Sequence, residues 1–284
     1  MKKAILIAII QFRKTIFSLR ALSVCLIVAP YLFVQIRPIV NMCIELGFSC
    51  NPFLFPFIMS DLYSRLFICS GAIILLCDAP FIDGNQPYIL LRTGKANWFI
   101  GVALYVIMIS VFYILFITLI CFISIIPFLA FDFNWGKIVS TLSATDAGSY
   151  FGVGIYVSRF ITLNFSVFQA MLLSSFVALL VFTFFGSLLL LANLKLNRVL
   201  GVIICGSFVV LSAFVQEAFN TMLFYLSPVS WLSIDQMSIN GLTRRPPMIY
   251  CYTFLVVLNF LLFLFSYSFI KKDSIEIEYD KYEV

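Results

Sequence analysis

The sequence has 284 residues, of which 63% are hydrophobic and 11% charged, a net charge of +5, and a mean hydropathy of +1.09. A soluble domain is nearer half apolar and a quarter charged, so this chain lacks the polar residues needed to cover a soluble core of its size. Composition therefore excludes a soluble enzyme and predicts an all-α integral membrane protein. We expect one transmembrane domain over residues 1–284, with no nucleic-acid partner.

The first predicted element is an amphipathic helix over residues 2–20. Spacing at 100° per residue places five apolar side chains on one face: Ile5, Ile9, Phe12, Ile16 and Leu19. The basic residues Lys3, Arg13 and Lys14 lie on the other side. This pattern is typical of an interfacial helix whose bases face anionic headgroups of membrane lipid. The alternatives are a frayed tail and an extension of the first span; a signal peptide is not expected, because no small-residue cleavage site follows.

Membrane spans are predicted from the stretches without Lys, Arg, Asp or Glu. These windows are 21–36, 66–77, 96–131, 160–194, 199–216 and 246–270. Crossing a bilayer core takes roughly 20 helical residues. The first window is short, but Arg20 and Arg37 can snorkel to the membrane surfaces. The second reaches a full span only if its helix continues outward through residues 53–59. We therefore predict six transmembrane helices.

The extended second span contains a charged pair, Asp61 and Arg65. In one continuous helix these residues stand at i and i+4 with the acid first, the favourable order for an ion pair. Charges inside a membrane mark a functional site by default, here near the outer mouth of a pathway. The alternative is a pair at the outer interface that caps the helix.

The positive-inside rule orients the spans. With a cytoplasmic N-terminus, segments 1–20, 78–95, 195–198 and 271–284 lie inside and hold 12 of the 18 Lys and Arg residues. The outer segments are longer and hold the remaining 6. We predict a multi-pass protein of the cell membrane with both termini cytoplasmic, and a solvated acidic tail over residues 271–284.

The stretch from Cys77 to Phe99 concentrates helix breakers and charges between apolar runs. Pro80 is predicted to end the second span, and the sequence Asp83-Gly84-Asn85 is typical of a turn. Residues 87–92 predict a short helix with proline at its first position, stopped by Gly94. The loop over residues 78–97 would thus hold a short helix between two rigid turns, an arrangement suited to pushing on another protein. The alternative is a solvated loop on the headgroups.

Over nearly its whole length, and most clearly in this stretch, the chain resembles the permease subunits of type-2 ATP-binding-cassette (ABC-2-like) exporters of Gram-positive bacteria. The likeness lies in Asp78-Ala-Pro-Phe-Ile-Asp83, then Ile89-Leu-Leu-Arg92-Thr-Gly94-Lys95, then Trp98. The resemblance implies that the loop is a coupling helix docking on a separate ATPase subunit, and that a second permease copy or homologue completes the channel. It also implies the docking residues, which would be Phe81, Asp83, Tyr88, Arg92 and Lys95.

The outer segment 217–245 is too apolar for a free loop and, with Pro228, too broken to span. We expect short re-entrant or interfacial helices, tolerable at depth only where protein covers the backbone. The resemblance implies outer re-entrant helices that cap a translocation path. The alternative is an interfacial strip anchored by Tyr225 and Trp231.

The chain lacks the motif of an ATPase. A P-loop needs Gly-x-x-x-x-Gly-Lys-Ser/Thr, but the Gly-Lys pairs at 94–95 and 136–137 are followed by Ala96 and Ile138. We therefore expect no enzyme activity and no cofactor in this chain, with ATP and Mg on the partner ATPase. The sequence has no histidine, which excludes a catalytic triad that contains histidine. Cys43 and Cys50 fall in an outer segment, where a disulfide is chemically feasible.

These expectations converge on an ATP-driven export permease that moves a hydrophobic or amphipathic substrate, such as an antimicrobial peptide or a drug. The aromatic, nearly uncharged spans favour such cargo over sugars or ions. A secondary transporter or channel is an alternative, in which Asp61, Arg65 and Glu217 would carry the function. A membrane enzyme acting on lipid or peptide is a further alternative, and the absence of histidine counts against it.

Overall fold

The computed structural model describes residues 2–79, 86–217, 221–239 and 244–272. Within these ranges the chain forms twelve α-helices and no β-strand, which confirms the all-α prediction. The helices are α1 (Lys2–Ile16), α2 (Leu19–Leu46), α3 (Phe55–Ser60), α4 (Leu62–Leu76), α5 (Gln86–Thr93), α6 (Lys95–Ile125), α7 (Gly136–Ala144), α8 (Ala147–Phe151), α9 (Arg159–Asn164), α10 (Val167–Lys195), α11 (Arg198–Glu217) and α12 (Met248–Lys272).

Five of these helices, α2, α6, α10, α11 and α12, are long and apolar enough to cross a membrane. They are compatible with a multi-pass membrane protein, as composition predicts. The first span is longer than its charge-free window, because α2 continues past Arg37 and two internal prolines, Pro30 and Pro38, to Leu46. The second predicted span is represented by α4, an apolar helix of 15 residues.

The second predicted span is not one continuous helix, because the chain breaks at Asp61. This residue has an extended backbone (φ −69°, ψ 127°) and separates α3 from α4. Its carboxylate Oδ2 accepts a hydrogen bond from the Ser64 amide at 2.9 Å, as an N-cap residue does. Asp61 and Arg65 do not form the expected ion pair, since the salt bridges among the described residues do not include them. Asp61 lies instead at the N-cap of α4, in agreement with the alternative of a residue that caps the helix, and its carbonyl accepts the Arg65 amide at 3.0 Å.

The predicted N-terminal helix is present as α1, and it packs along α6. Its buried face is Ala4, Ile7, Ala8, Gln11 and Thr15. At Gly101 of α6 the two helices approach so closely that a Cβ would lie 2.9 Å from the Ala4 carbonyl oxygen. Close approach at small residues is a common way for membrane helices to associate. The apolar face predicted from the sequence is a different one, and its Ile5 and Ile9 are exposed.

The centre of the bundle is formed by α6 and α10. The rings of Phe182, Phe184 and Phe185 on α10 are at most 2% exposed. Gly186 allows α10 to approach α6, since a Cβ there would lie 2.3 Å from Val106 Cγ1. Because side chains are closely packed in this interior, the buried polar groups described below are surrounded by protein atoms.

The bundle has two ends that can be told apart by their connections. At the first, which we call the α5 end, Asn193 of α10 donates hydrogen bonds to the carbonyls of Cys77 (2.9 Å) and Ala79 (2.6 Å). Asp78 pairs there with Arg20 and with Arg198. At the opposite end, the segments after α2 and α6 meet in an isolated bridge between Cys50 and Leu129.

Cys43 and Cys50, where a disulfide was chemically feasible, are free and buried. The neighbouring Cys43 thiol together with burial raises the pKa of Cys50, whose Sγ donates to the Asn51 carbonyl at 3.6 Å. Gly47, with φ 67°, turns the chain back after α2. The two thiols are therefore brought together by a local turn.

Candidate functional site

The most unusual feature of the described structure is a fully buried arginine. Arg65 on α4 is 0% exposed. Its Nη2 donates to Gln216 Oε1 on α11 at 2.5 Å. Its Nε and Nη1 have no hydrogen-bond partner among the described residues. A buried charge with unpaired donors is costly to a fold, so its presence calls for a compensating function or partner.

Two carboxylates surround Arg65 without pairing with it. Asp235 and Asp61 lie close enough to attract its charge, yet the described residues include no salt bridge to Arg65. Asp61 instead caps α4. The two residues predicted as a pathway pair thus belong to one buried network, but each has a different partner.

The second of these carboxylates, Asp235, lies in the segment between α11 and α12. Its Oδ1 accepts a hydrogen bond of 2.5 Å from the Ser233 hydroxyl, and its backbone carbonyl accepts one of 2.5 Å from Arg245 Nη1. Burial raises the pKa of Asp235, an effect that the hydrogen bond from Ser233 and the charges of Arg245 and Arg65 oppose. Asp235 is therefore easier to protonate than a surface aspartate.

This connecting segment is more deeply buried than the sequence suggested. Residues 227–238 are all buried and contain two 3₁₀ turns, Ser230–Leu232 and Ile234–Gln236. Trp231 is 0% exposed and its Nε1 donates to the Phe224 carbonyl at 2.7 Å, while Pro228 is also buried. A Trp231 that met the lipid interface would not be covered in this way, so here it anchors the segment to the bundle.

The network extends toward α2 through uncharged groups. The Tyr31 hydroxyl lies 3.1 Å from the Ser64 hydroxyl, and Gln35 Nε2 donates to Tyr31 at 3.2 Å. Tyr31 and Gln35 are half-buried. Side chains from α2, α4, α11 and the segment before α12 therefore form one set of polar groups around Arg65, which we call the Arg65 network.

The second candidate site is the short helix α5, whose prediction from Pro87 and Gly94 is confirmed. Gly94, with φ 81°, separates α5 from α6. Of the residues implied in docking, Phe81 and Asp83 lie outside the described residues, and Tyr88 lies on α5. Arg92 is exposed in the last turn of α5, and its carbonyl accepts a hydrogen bond from Lys3 Nζ at 3.3 Å. Lys95 begins α6.

Beneath α5 lies a small hydrophobic cluster, separate from the main core, which we call the elbow cluster. Its buried members come from four helices: Ile7 of α1, Trp98, Phe99 and Val102 of α6, Leu190 of α10, and Ile270 of α12. Ile89 and Leu90 of α5 pack against it. A force applied to α5 would therefore reach four helices at once.

Sequence reasoning identified Arg65 and Asp61 but missed Gln216, Asp235 and Arg245. Gln216 is a polar residue at the end of the charge-free window 199–216. A polar side chain at the end of a predicted span is a local signal from which this residue could have been identified. The role of Asp235 had no local signal, because it depends on how the buried segment folds back. No group of three metal-ligating residues exists in the described part of the chain.

Among the described residues, neither site has the side chains of a nucleophilic or metal-dependent catalytic centre. The Arg65 network can hold charge and rearrange hydrogen bonds, whereas α5 and the elbow cluster can transmit displacement. Comparisons with protein families, with curated proteins and with solved structures find no match for this chain.

Proposed function

We propose that this chain is the permease subunit of an ATP-driven export complex of the ABC-2-like type. The observation that carries the proposal is the packing of α5 on the elbow cluster. Ile89 and Leu90 pack against a cluster whose members come from α1, α6, α10 and α12, so α5 is coupled through this cluster to helices that we take to cross the membrane. A separate ATPase subunit, which would hold ATP and Mg, docks on α5 and the 78–97 loop.

Transport follows from this coupling in mechanical terms. Closure of the ATPase pushes α5, and Trp98 and Phe99 at the start of α6 pass the displacement to the bundle. Asp78 and Asn193 hold the beginning of the loop to α10 and α11, so Asp78 and Ala79 would move with these two helices. Packed helices respond to such pushes by switching between discrete arrangements.

The membrane topology belongs to the same proposal. We place the α5 end and both termini in the cytoplasm of a cell whose membrane the chain crosses six times. The second crossing is α4, which is about 22 Å long at 1.5 Å per residue, with α3 continuing it outward beyond the break at Asp61. Residues 227–238 form the re-entrant segment near the outer mouth. A second permease copy or homologue completes the channel.

The proposed substrate class is hydrophobic or amphipathic, such as a peptide or drug. The spans are aromatic and almost free of charge, which suits an apolar cargo better than a sugar. In this view the Arg65 network is a polar gate near the outer mouth of the path. The cargo would contact this gate after it has passed the apolar part of the path.

A secondary transporter is a second candidate, favoured by one specific observation. Arg65 and Asp235 are buried together, and buried ionisable residues are what ion-coupled transport requires. The two functions differ in their energy source. Uptake or efflux in proteoliposomes driven by a proton gradient, without ATP or a second chain, would select this alternative.

The proposal is tested by purifying the tagged chain from native membranes in mild detergent and measuring Mg-dependent ATPase activity of the complex. We expect a separate nucleotide-binding chain to co-purify, and Arg92→Glu to reduce its yield severalfold. Arg13→Glu, an exposed charge reversal on α1, is the matched control. Purification of an active chain without any ATPase, or equal yields for the two variants, would overturn the proposal.

A further inference from the structure

A second feature, remote from α5, is a cavity of about 210 Å³ at the opposite end of the bundle. Four of its lining residues are phenylalanines and one is an acid; the full lining is Phe53, Phe131, Asp132, Phe133, Val167 and Phe168. These residues come from three places in the chain: the segment after α2, the segment after α6, and the first turn of α10. The cavity is smaller than pockets that enclose a drug-sized ligand, which span about 300–1,000 Å³.

The walls of the cavity are held by buried hydrogen bonds. Asn51, 3% exposed, donates from Nδ2 to the carbonyls of Asp132 (2.8 Å) and Asn134 (3.3 Å). Trp135 Nε1 donates to the Phe165 carbonyl at 2.9 Å, which ties the same loop to the residues before α10. The cavity is therefore a fixed part of the fold rather than a gap between loose loops.

The aromatic rings are only partly used in packing. Phe53 packs edgewise on Phe122 at 5.4 Å and on Phe131 at 6.4 Å. Phe133 and Phe168 are 91% and 61% exposed. Much of the surface of these two rings remains free to contact a ligand in the cavity.

Charge around the cavity favours a cation. Asp132 is the only charged residue in its lining. Lys137, which does not line the cavity, places its Nζ 4.3 Å from the centroid of the Phe48 ring. The N-terminus of α10, whose first turn contributes Val167 and Phe168, is closed by a capping box between Ser166 and Gln169, so part of its free amide donors is satisfied within the helix.

We propose that this cavity binds the head group of an amphipathic organic cation of the quaternary-ammonium class. Phenyl faces attract such cations, the Asp132 carboxylate supplies the counter-charge, and the volume suits a head group whose apolar tail lies outside. The head group could belong to a free amphiphile or to a choline lipid. The proposal holds whether or not the chain is an export permease.

The test is equilibrium binding of benzyltrimethylammonium to the full chain in nanodiscs made without choline lipid. The neutral isostere neopentylbenzene serves as the comparison ligand. We expect the cation to bind and the isostere to bind at least several-fold more weakly. Asp132→Asn and Phe131→Leu should each weaken binding of the cation by about three- to tenfold.

Asp146→Asn is the matched control, because Asp146 is exposed at the same end but does not line the cavity. Size-exclusion profiles of all variants show whether they fold. Equal affinity of the cation and its isostere, or equal effects of Asp132→Asn and Asp146→Asn, would overturn the proposal. Competition by added phosphatidylcholine identifies a lipid as the occupant, and its absence identifies a free amphiphile.

Discussion

Arg65 and Gln216, which are 151 positions apart in the chain, are joined by a hydrogen bond of 2.5 Å from the guanidinium to the side-chain amide oxygen. This bond links α4 to α11. It is the only hydrogen bond that the Arg65 side chain makes to the described residues, since its other two nitrogens are unpaired there. The position of α11 is therefore coupled to a buried charge.

We expect Gln216→Ala to destabilise the protein, because it leaves the buried guanidinium without this acceptor. The cost of an unsatisfied buried group is about 1–3 kcal/mol, and more for a charged one. Thermal unfolding in detergent measures the loss. Gln35→Ala removes a half-buried glutamine with a neutral partner and should cost less. Equal melting temperatures for the two variants would contradict the importance of the Arg65–Gln216 bond.

Replacing both partners tests whether Arg65 serves stability or function. We expect Arg65→Met with Gln216→Leu to be more stable than Gln216→Ala, because no buried charge or amide is left unpaired. If the Arg65 network is a transport gate, this stable double variant should have lost transport. A double variant with full transport would mean that the network is only structural.

A third prediction compares two glycines. At Gly101 on α6 an added Cβ would lie 2.8 Å from Ile7 Cβ and 2.9 Å from the Ala4 carbonyl oxygen, whereas at Gly206 on α11 nothing lies within 4 Å. We expect Gly101→Ala to displace α1 and cost about 1–3 kcal/mol. Gly206→Ala should be neutral or stabilising by up to about 1 kcal/mol.

Limited proteolysis of α1 together with thermal unfolding checks the glycine prediction. Cleavage within residues 2–16 should become faster only in Gly101→Ala. An unchanged rate of cleavage in Gly101→Ala would show that the observed packing against α6 does not hold α1 in place.

The fourth prediction concerns pH and Asp235. Since burial raises the pKa of this carboxyl, the folded state binds this proton more tightly than the unfolded state does. The stabilisation from that proton is complete below the ordinary pKa of an aspartate and is lost as pH rises through the raised folded value. Asp235→Asn mimics the protonated form, so at neutral pH it should melt at a higher temperature than the wild type.

Unfolding measured across a pH series checks this. The wild type should lose stability as pH rises through the folded pKa of Asp235, and this part of the slope should vanish in Asp235→Asn. Asp146→Asn, at an exposed acid, should leave the slope unchanged. A lower melting temperature for Asp235→Asn at neutral pH would show that the attraction of Arg65 and Arg245 outweighs burial.

The fifth prediction concerns Cys43 and Cys50. Because the Cys43 thiol is close enough to affect the pKa of Cys50, oxidation with copper-phenanthroline should join the two sulfurs, releasing two protons to solvent and passing two electrons to the oxidant. Peptide mapping under non-reducing conditions detects the product. Before oxidation, maleimide should label the half-buried Cys77 faster than either buried thiol. Failure to form the Cys43–Cys50 link would show that the turn at Gly47 does not hold them together.

The sequence by itself determined the class of protein and the elements with local signals. Composition excludes a soluble domain whatever the arrangement of helices, because the polar residues are too few. Pro87 and Gly94 bound α5 through backbone restrictions that act within a few residues.

Only the tertiary structure decided which faces and which partners meet. The helices are apolar on most sides, so periodicity could not show that α1 buries Ala4 and Gln11 rather than Ile5. The break at Asp61 and the bond from Arg65 to Gln216 depend on how distant segments pack around α4. Such pairings are set by the shape and hydrogen-bonding needs of the assembled interior, where each buried polar group must find its partner across the fold.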